Sequence, residues 1–302
     1  MQRRSCLLPE WCLPLLFLLM VFGFPTALFA EWGPLTARLA ADGYDEKAVQ
    51  ALFLRPEVRF DPSVMSSKVD ALLRRRAAFR EKGDAARPSG VRKGYLRSHV
   101  IAYARMYASR HRDLLEEVRK VYGVPKEVVV AILLVETRLG RYMGGRSVFN
   151  SLASMARSRD LTAVQPHLSR ALLTAEELEF AREKCRQKAE WAYEELKALL
   201  LYAGNCGIDP LEIRGSVYGA LGLCQFMPTS IRDFGIDGNG DGRVDLFSEA
   251  DALHSTANYL RGHGWKAQMD PESQRRVLFE YNNSAVYVNT VLAVAAKLRN
   301  RI

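Results

Sequence analysis

A single acidic residue ends the longest apolar run of the chain beyond its N-terminal segment. Residues 128–135 are VVVAILLV, and Glu136 follows directly. Because an ionised carboxylate is costly in apolar surroundings, such a group either pairs with a cation or stays protonated. A carboxylic acid that is protonated near neutral pH is what general acid catalysis requires. Glu136 is therefore the first candidate for a catalytic residue, and a salt bridge to Arg138 or Arg141 is the structural alternative.

A second stretch has the spacing of metal ligands. Residues 237–245 are DGNGDGRVD, which matches the start of an EF-hand calcium loop. The predicted oxygen ligands are the side chains of Asp237, Asn239 and Asp241 and the carbonyl of Arg243. The twelfth loop position is a bidentate Glu in an EF-hand but Ser248 here, so Asp251 is the remaining candidate. We expect one structural Ca²⁺ site and no sensor pair, with a metal-free Asp/Gly turn as the alternative.

The segment that leads to Glu136 is predicted to be a buried helix. Val128–Val130 alone would be typical of a buried strand, but an apolar run on all sides also fits a buried helix. Pro125 stands at a favoured first-turn position and glycines follow Arg138. Length and flanking residues therefore favour a helix over 125–138, with the carboxylate near its C-terminal end.

Helical patterns dominate the rest of the chain, so we predict a mainly α fold. Residues 215–222 (GSVYGALG) are glycine-rich, and QFMPTS indicates a loop that leads into a short helix. RPSG, residues 87–90, is a loop signal. We find no convincing repeat and no series of alternating strands. The predicted helices are 114–122, 161–184, 187–204, 249–263 and 284–299, with two short amphipathic stretches around a Gly43 turn within 34–54.

The composition predicts a full hydrophobic core and a partner of negative charge. The 302 residues are 48% hydrophobic and carry a formal net charge of +9. A basic protein is attracted to polyanions such as nucleic acid, anionic lipid or an anionic cell wall. The Lys and Arg residues are dispersed, with no zinc-ligand spacing and no aromatic–basic RNA motif. We therefore expect no nucleic acid partner.

The N-terminus has the pattern of an export signal over residues 1–30. A basic start (MQRR) precedes the apolar core Leu13–Phe24, and Ala30 is the predicted cleavage residue. An uncleaved membrane anchor is the alternative, against which Pro14 and Pro25 argue. We expect an exported, periplasmic protein, which stays associated with the membrane if the segment is not removed.

Three cysteines remain after the predicted cleavage: Cys185, Cys206 and Cys224. An odd number in an exported protein implies at least one free thiol or an intermolecular bond. Cys185 and Cys206 flank a predicted helix, which would hold them about 30 Å apart. Cys206–Cys224 is therefore the better candidate pair, and the sequence leaves the disulfide state open.

Five motifs in one order closely resemble the membrane-bound type B family of lytic murein transglycosylases. They are VYGVPKEVVVAILLVETRLG, GALGLCQFMPTS, DGNGDGRVDLFSEADA, ANYLRGHGW and YNNS, and they extend from about Val121 to the C-terminus. The resemblance implies a lysozyme-like catalytic core with an N-terminal helical part and one EF-hand-like calcium loop. We expect one catalytic domain over 31–302, divided into a helical part over 31–112 and a core over 113–302, which holds the calcium loop at 237–251.

The resemblance implies that Glu136 is the single acid/base of a peptidoglycan-cleaving enzyme. It would protonate the β-1,4 glycosidic oxygen between N-acetylmuramic acid and N-acetylglucosamine. The ionised glutamate would then take the proton of the sugar's own 6-hydroxyl, which closes a 1,6-anhydro ring. Most glycosidases add a second carboxylate, and none stands out here in a comparable apolar context.

The resemblance also implies the substrate-binding residues. Aromatic rings stack on sugar faces, and an Asn side chain offers both a donor and an acceptor. The implied residues are Ser216 and Gln225 for the acetamido group and hydroxyls, Tyr259, Tyr281 and Asn282 for the cleft lining, and Lys188 and Trp191 for the peptide stem. The structural alternatives are a turn residue for Ser216, a structural amide for Gln225 and core packing for the two tyrosines.

Two departures from the family concern the substrate cleft. The family often has an Arg-Arg pair before an aromatic residue, and the matching stretch here is QKAEW, which keeps one cation at Lys188. A lysine makes a weaker point-charge contact to a carboxylate than a bidentate arginine. Cys224 replaces a residue that is usually glycine. These departures affect the expected cleft shape and stem preference but not the acid.

Three other functions remain open on the sequence. A muramidase would need a base that activates water, and no candidate is visible. A catalytically weak or inactive peptidoglycan-binding wall protein would keep the cleft, but Glu136 is present. A calcium-dependent structural protein leaves Glu136, Gln225 and Tyr281 unexplained. The expected partner is the peptidoglycan glycan strand, with cell-wall synthesis or division machinery as a further candidate, and we expect a monomer.

Overall fold

The computed structural model describes residues 26–83, 90–170, 172–299 and 301–302. Most of the predicted export signal and the Arg87–Ser89 part of the predicted loop lie outside the described residues. Within these ranges, no helix combines the length and the apolarity that a membrane-spanning segment needs.

The described residues are mainly helical, as predicted, with two strands of two residues each. The strands are β1 (Arg146–Ser147) and β2 (Arg214–Gly215), which pair antiparallel with Arg146 opposite Gly215. Short 3₁₀ helices lie at Lys93–Leu96, Leu161–Ala163 and Gln165–His167. The α-helices are α1 (Thr26–Ala41), α2 (Glu46–Phe53), α3 (Pro62–Lys82), α4 (Ser98–Arg110), α5 (Arg112–Tyr122), α6 (Lys126–Thr137), α7 (Val148–Arg157), α8 (Ala175–Cys206), α9 (Pro228–Phe234), α10 (Glu249–Gly262), α11 (Pro271–Tyr281) and α12 (Ala285–Leu298).

Helix α6 is the central helix of the core, which explains its uniform apolar sequence. Every residue from Val128 to Val135 is buried. The helix packs against α4, α5, α10 and α12, so apolar side chains are needed on all of its faces. The predicted helix over 125–138 is confirmed, and Glu136 lies in its last turn.

The chain leaves α6 through an abrupt reversal. Arg138 and Leu139 have φ values of 52° and 59°, in the left-handed region that residues with side chains rarely adopt. The backbone N–H of Leu139 donates to the carbonyl of Leu133, which satisfies a helix-terminal acceptor. The reversal turns the chain toward β1 immediately after Glu136.

The prediction of two helices over 161–184 and 187–204 is wrong. Residues 161–167 form two 3₁₀ turns, and a single helix of 32 residues, α8, follows. Its start is a capping box between Thr174 and Glu177, which the apolar pattern alone does not reveal. Helices α3, α4, α7 and α11 are additional to the predicted ones. Helix α11 begins where Asp270 caps a first turn that contains Pro271.

The cysteines do not form the candidate disulfide. Cys185, Cys206 and Cys224 are all free and buried. Cys185 and Cys206 lie on the same helix, α8, and Cys206 has its sulfur 3.6 Å from the carbonyl of Val244. The Cys206–Cys224 pairing is therefore wrong, because the Cys206 thiol is directed to the backbone of the Asp/Gly loop.

Candidate active site

The side chain of Glu136 is partly exposed to solvent but is closely surrounded by other protein groups. Burial raises the pKa of its carboxyl to about 7, and the nearby Tyr287 hydroxyl and the charge of Arg92 lower it in part. Close to neutral pH, both the acid and the carboxylate are therefore populated. This is the titration range that an acid/base catalyst requires.

The two arginines that follow Glu136 do not neutralise it. The guanidinium of Arg138 lies over the ring of Tyr142, 5.3 Å from its centroid. That of Arg141 lies over the ring of Tyr103, at 4.1 Å. Among the residues that the structure describes, no salt bridge to Glu136 is present, so the structural alternative for this residue is not what the fold shows.

Apart from the charge of Arg92, the groups near the Glu136 carboxyl are uncharged. The phenol of Tyr281 donates a hydrogen bond of 2.7 Å to the carbonyl of Cys224. Burial raises the pKa of the Cys224 thiol to about 12 and holds the pKa of Tyr281 and Tyr287 well above the usual range, and the charge of Glu136 adds to all three shifts. Neutral neighbours leave the cost of ionising Glu136 largely uncompensated.

Tyr287 and Arg92 are site residues that sequence reasoning missed. The Tyr287 hydroxyl is buried and, in the described part of the chain, makes no hydrogen bond of normal geometry. The backbone N–H of Arg92 donates a hydrogen bond of 3.0 Å to the hydroxyl of Thr290. Thr290 lies on α12, the helix that also carries Tyr287. Neither residue belongs to a recognisable motif, although Tyr287 lies only three positions after the end of the YNNS motif.

Gln225 lies in a strained loop whose backbone faces the segment after α6. Its φ is 50°, and its amide nitrogen donates to the carbonyls of Met143 at 3.2 Å and Gly222 at 3.0 Å. These bonds agree with the structural-amide alternative for the nitrogen. The amide oxygen accepts no hydrogen bond from the described residues, so it is available to a ligand.

Ser216 closes a tight turn between β2 and the Gln225 loop. Its hydroxyl oxygen accepts the N–H of Ala220 at 3.0 Å, and its own N–H donates to the Ala220 carbonyl at 2.7 Å. A Cβ on Gly144 would come within 2.2 Å of the Gly215 carbonyl, so the two segments need glycine to approach this closely. Ser216 therefore has a turn role, and its hydroxyl proton is not used in that turn.

Tyr259 and Tyr281 belong to one aromatic cluster. Their ring centroids are 5.0 Å apart, and that of Phe226 lies 5.3 Å from Tyr259. Tyr259 also stacks on His263 at 4.0 Å and donates its hydroxyl proton to the Glu280 carbonyl at 2.8 Å. Both tyrosines are half-buried, so each ring packs within the cluster and still leaves part of its surface accessible.

Asn282 and the two residues on α8 lie apart from Glu136 in their recorded contacts. Asn282 is exposed at the C-terminal cap of α11. The ammonium of Lys188 is 5.4 Å from the ring centroid of Trp191, and both side chains are half-buried on α8. Helix α8 packs against α3, α7 and α9, and not directly against the helix of Glu136 in the contacts of the described residues.

The Asp/Gly loop is held by its own acidic side chains. The carboxylate of Asp237 accepts the N–H groups of Gly240 and Gly242, each at 2.7 Å. Asn239 accepts the N–H of Asp241 at 3.0 Å, and Asp241 accepts that of Arg243 at 3.0 Å. Gly240 and Gly242 have φ values of 75° and 87°, as this sharp turn requires.

Asp251 ties the loop to the first turn of α10. It is fully buried, and its carboxylate accepts the N–H groups of Gly238 at 2.9 Å and Asp245 at 2.6 Å. Burial raises the pKa of Asp251, and the charge of Asp237 contributes to the rise. Across the described ranges, no three His, Cys, Asp or Glu side chains converge as a metal site. The three predicted carboxylates, Asp237, Asp241 and Asp251, are thus not grouped as a metal site by themselves.

Comparison with known proteins places this chain in a family. The model of the family described as "Transglycosylase SLT domain" matches residues 29–277. The curated Escherichia coli (strain K12) protein named membrane-bound lytic murein transglycosylase B is 33% identical over 174 residues. That alignment covers 58% of this chain and 41% of the Escherichia coli protein.

Two solved structures have a similar fold. Lytic transglycosylase Slt35 from Escherichia coli, in complex with calcium, has a TM-score of 0.63 at 20% identity, and the match covers 91% of this chain and 92% of that one. SltB3 from Pseudomonas aeruginosa, in complex with NAG-NAM-pentapeptide, has a TM-score of 0.64 at 22% identity, with 90% and 80% covered. At these identities the likeness concerns the fold.

Proposed function

The chain belongs to the transglycosylase SLT domain family, and on that premise we propose that it cleaves the glycan strands of peptidoglycan as a lytic transglycosylase. The observation that carries the proposal is the state of Glu136. It is one carboxyl at the end of a core helix, and its pKa is raised to about 7 by burial. Such a group can donate and accept a proton at the same pH.

Glu136 acts first as an acid and then as a base. The protonated carboxyl donates its proton to the β-1,4 oxygen between N-acetylmuramic acid and N-acetylglucosamine, and the bond from that oxygen to C1 breaks. The carboxylate then takes the proton of the 6-hydroxyl of the same muramic acid, whose oxygen bonds to C1. Glu136 is protonated again, water is not consumed, and the product ends in a 1,6-anhydro ring.

A single carboxylate is consistent with the surroundings of Glu136. Retaining glycosidases pair the acid with a second carboxylate about 5 Å away. Of the described residues, those that shift the pKa of Glu136 are Tyr287 and Arg92, and neither is an acid. The sugar's own 6-hydroxyl then replaces both the nucleophilic carboxylate and the water of a hydrolase.

The substrate would lie between the Gln225 loop and the aromatic cluster. The free amide oxygen of Gln225 and the hydroxyl proton of Ser216 are available for the acetamido group and the sugar hydroxyls. Tyr259 and Tyr281 offer ring faces, and Asn282 is exposed beside them. Lys188 and Trp191 on α8 would contact the peptide stem.

We also propose that the Asp/Gly loop binds one structural Ca²⁺. The donors are all oxygen, the ligand type that this hard cation prefers: the side chains of Asp237, Asn239 and Asp241 and the carbonyl of Arg243. The buried carboxylate of Asp251 lies close enough to Asp237 for its pKa to be raised by that charge. A cation would offset this repulsion, stabilise the loop and leave the reaction itself to Glu136.

The same proposal extends to location and organisation. The Escherichia coli relative is named membrane-bound, and we propose export to the periplasm through the signal at 1–30. The helical part over 31–112 would support the lysozyme-like core over 113–302. Peptidoglycan strands are the partner, and the basic charge suits an anionic cell-wall surface.

The proposed role of Glu136 is tested by Glu136→Gln on purified peptidoglycan. Glu127→Gln is the matched control, because it makes the same change in the first turn of the same helix, where Glu127 contacts Arg299 at 3.4 Å. We expect release of soluble fragments to fall by about 10²–10⁴-fold for Glu136→Gln only. Equal release from both variants would contradict the proposal, and binding without release by the unmodified protein would favour a wall-binding protein.

A further inference from the structure

Lys68 on α3 is a half-buried cation that stacks on an aromatic ring next to the proposed cleft. Its ammonium lies 4.3 Å from the ring centroid of Tyr218. Tyr218 stands in the tight turn that Ser216 and Ala220 close. The lysine thus reaches from α3 to the turn that joins β2 to the Gln225 loop.

No carboxylate compensates this charge in the part of the chain that the structure describes. Burial lowers the pKa of Lys68, and the charge of Lys188 lowers it further, while no acid raises it. A half-buried charge without a counter-ion costs stability. By contrast, Lys197, which is also half-buried, is paired with Asp42 at 2.8 Å. Lys68 therefore lacks the partner that a structural lysine has elsewhere in the same fold.

Further positive charge lies around the same ring. Burial raises the pKa of Tyr218, and the guanidinium of Arg74 on α3 lowers it in part, which places Arg74 nearby. Lys188 approaches from α8 and has Trp191 beside it. Two ammonium groups that repel each other, bordered by two aromatic rings, are complementary to an anion with an apolar body.

We propose that Lys68 and Lys188 together bind a carboxylate of the peptide stem carried by the substrate glycan, with Tyr218 and Trp191 covering the stem's apolar atoms. The inference rests on the proposed function and makes Lys68 a specificity-determining residue for it. An ammonium is a point-charge donor, so it accepts carboxylates in several orientations and favours acidic stems over neutral ones.

The test is a binding measurement that does not need turnover. Glu136→Gln protein is titrated with a disaccharide of N-acetylglucosamine and N-acetylmuramic acid that bears a tetrapeptide, once with free carboxylates and once with all of them amidated. We expect tighter binding of the free form. Lys68→Gln in the same background should weaken that binding by about tenfold and leave the amidated form unchanged. Lys68→Arg should retain the preference.

Lys120→Gln is the matched control, because Lys120 is exposed on α5 and its removal makes the same change in net charge. The melting temperature of Lys68→Gln should equal or exceed that of its parent, since an unpaired charge is removed. An equal loss of affinity for both ligands, no preference for the free form, or no binding of either ligand would overturn the inference.

The two proposals fail in different ways. If the unmodified protein releases no fragments but the Lys68-dependent preference persists, the subsite stands and the enzymatic function fails. If fragments are released and Lys68→Gln leaves the preference intact, the function stands and the subsite is wrong.

Discussion

The hydroxyl of Thr137 donates a hydrogen bond of 2.9 Å to the carbonyl of Leu223. Thr137 directly follows Glu136, and Leu223 precedes Gln225 by two residues, so this bond joins the helix of the acid to the loop of the amide. The same oxygen accepts the N–H of Gly140 at 3.0 Å. One fully buried side chain thereby fixes the reversal after α6 and its distance from the Gln225 loop.

Thr137→Val should therefore destabilise the protein and misplace the acid. The substitution keeps the shape but leaves the buried Leu223 carbonyl and the partly buried Gly140 N–H without this partner, at a cost of about 1–3 kcal/mol. We expect the midpoint of urea unfolding to fall and the rate of fragment release to fall by roughly 10²-fold. Thr36→Val is the control, because Thr36 bonds only the carbonyl of Gly33 in its own helix. Equal effects of the two variants would contradict the linking role.

The pH dependence of cleavage should follow the protonation of Glu136. The acid must be protonated in the free enzyme, and its pKa is about 7. We expect kcat/KM to fall about tenfold per pH unit above that value. Tyr287→Phe removes the neighbouring hydroxyl that lowers this pKa, so the alkaline limb should move to higher pH. Tyr107→Phe is the control, because the Tyr107 hydroxyl is also buried and without a partner in the described chain, and Glu136 does not affect its pKa. If the alkaline limb of kcat/KM lies at the same pH in Tyr287→Phe as in the unmodified protein, the Tyr287 hydroxyl does not lower the pKa of Glu136.

Glu136→Gln should stabilise the protein at alkaline pH. The pKa of Glu136 is raised from 4.5 to about 7 on folding. The unfolded chain therefore ionises first as the pH rises, and the unmodified protein loses stability between these two values. At about pH 8 the loss amounts to as much as roughly 3 kcal/mol, and below about pH 4 it is absent. Thermal unfolding at both pH values measures the difference between the two proteins. A variant that is no more stable at the higher pH would show that the carboxyl is not costly to ionise.

Calcium should stabilise the chain through the Asp/Gly loop. Binding to the folded state alone adds about 2.7 kcal/mol when free Ca²⁺ is a hundredfold above its dissociation constant. We expect the melting temperature to rise with Ca²⁺, to fall with a chelator, and to become insensitive to both in Asp237→Asn. Asp113→Asn, an exposed change on α5 with the same charge effect, should keep the response. An unmodified protein that does not respond to Ca²⁺ would leave the loop as a metal-free Asp/Gly turn.

The central helix and the position of Glu136 at its end could be predicted from the sequence because local signals agreed with the tertiary structure. The run at 128–135 is apolar on every side, and the fold buries every side, so a sequence pattern and a packing requirement coincide. Gly43 likewise has a positive φ, as the turn between the first two helices requires. At such positions the sequence pattern is sufficient.

Tyr287, Arg92 and Lys68 could not be predicted, because their roles come from contacts between distant segments. Arg92 bonds Thr290 across 198 residues, and Lys68 meets Tyr218 across α3 and the turn after β2. The predicted boundary between two helices near residue 185 was wrong for a related reason. Polar residues on one face of a long helix resemble a linker until the other face is seen to be buried. The implied roles of Gln225 and Ser216 stay predictions, since the structure gives both residues local bonds as well.

The most direct test of the account is mass spectrometry of the fragments released from purified peptidoglycan in oxygen-18-labelled water. We predict fragments that end in 1,6-anhydromuramic acid, are one water lighter than hydrolysis products, carry no label, and are absent with Glu136→Gln. Labelled reducing ends would contradict the account, because they would show that water, and not the sugar's own 6-hydroxyl, attacks C1.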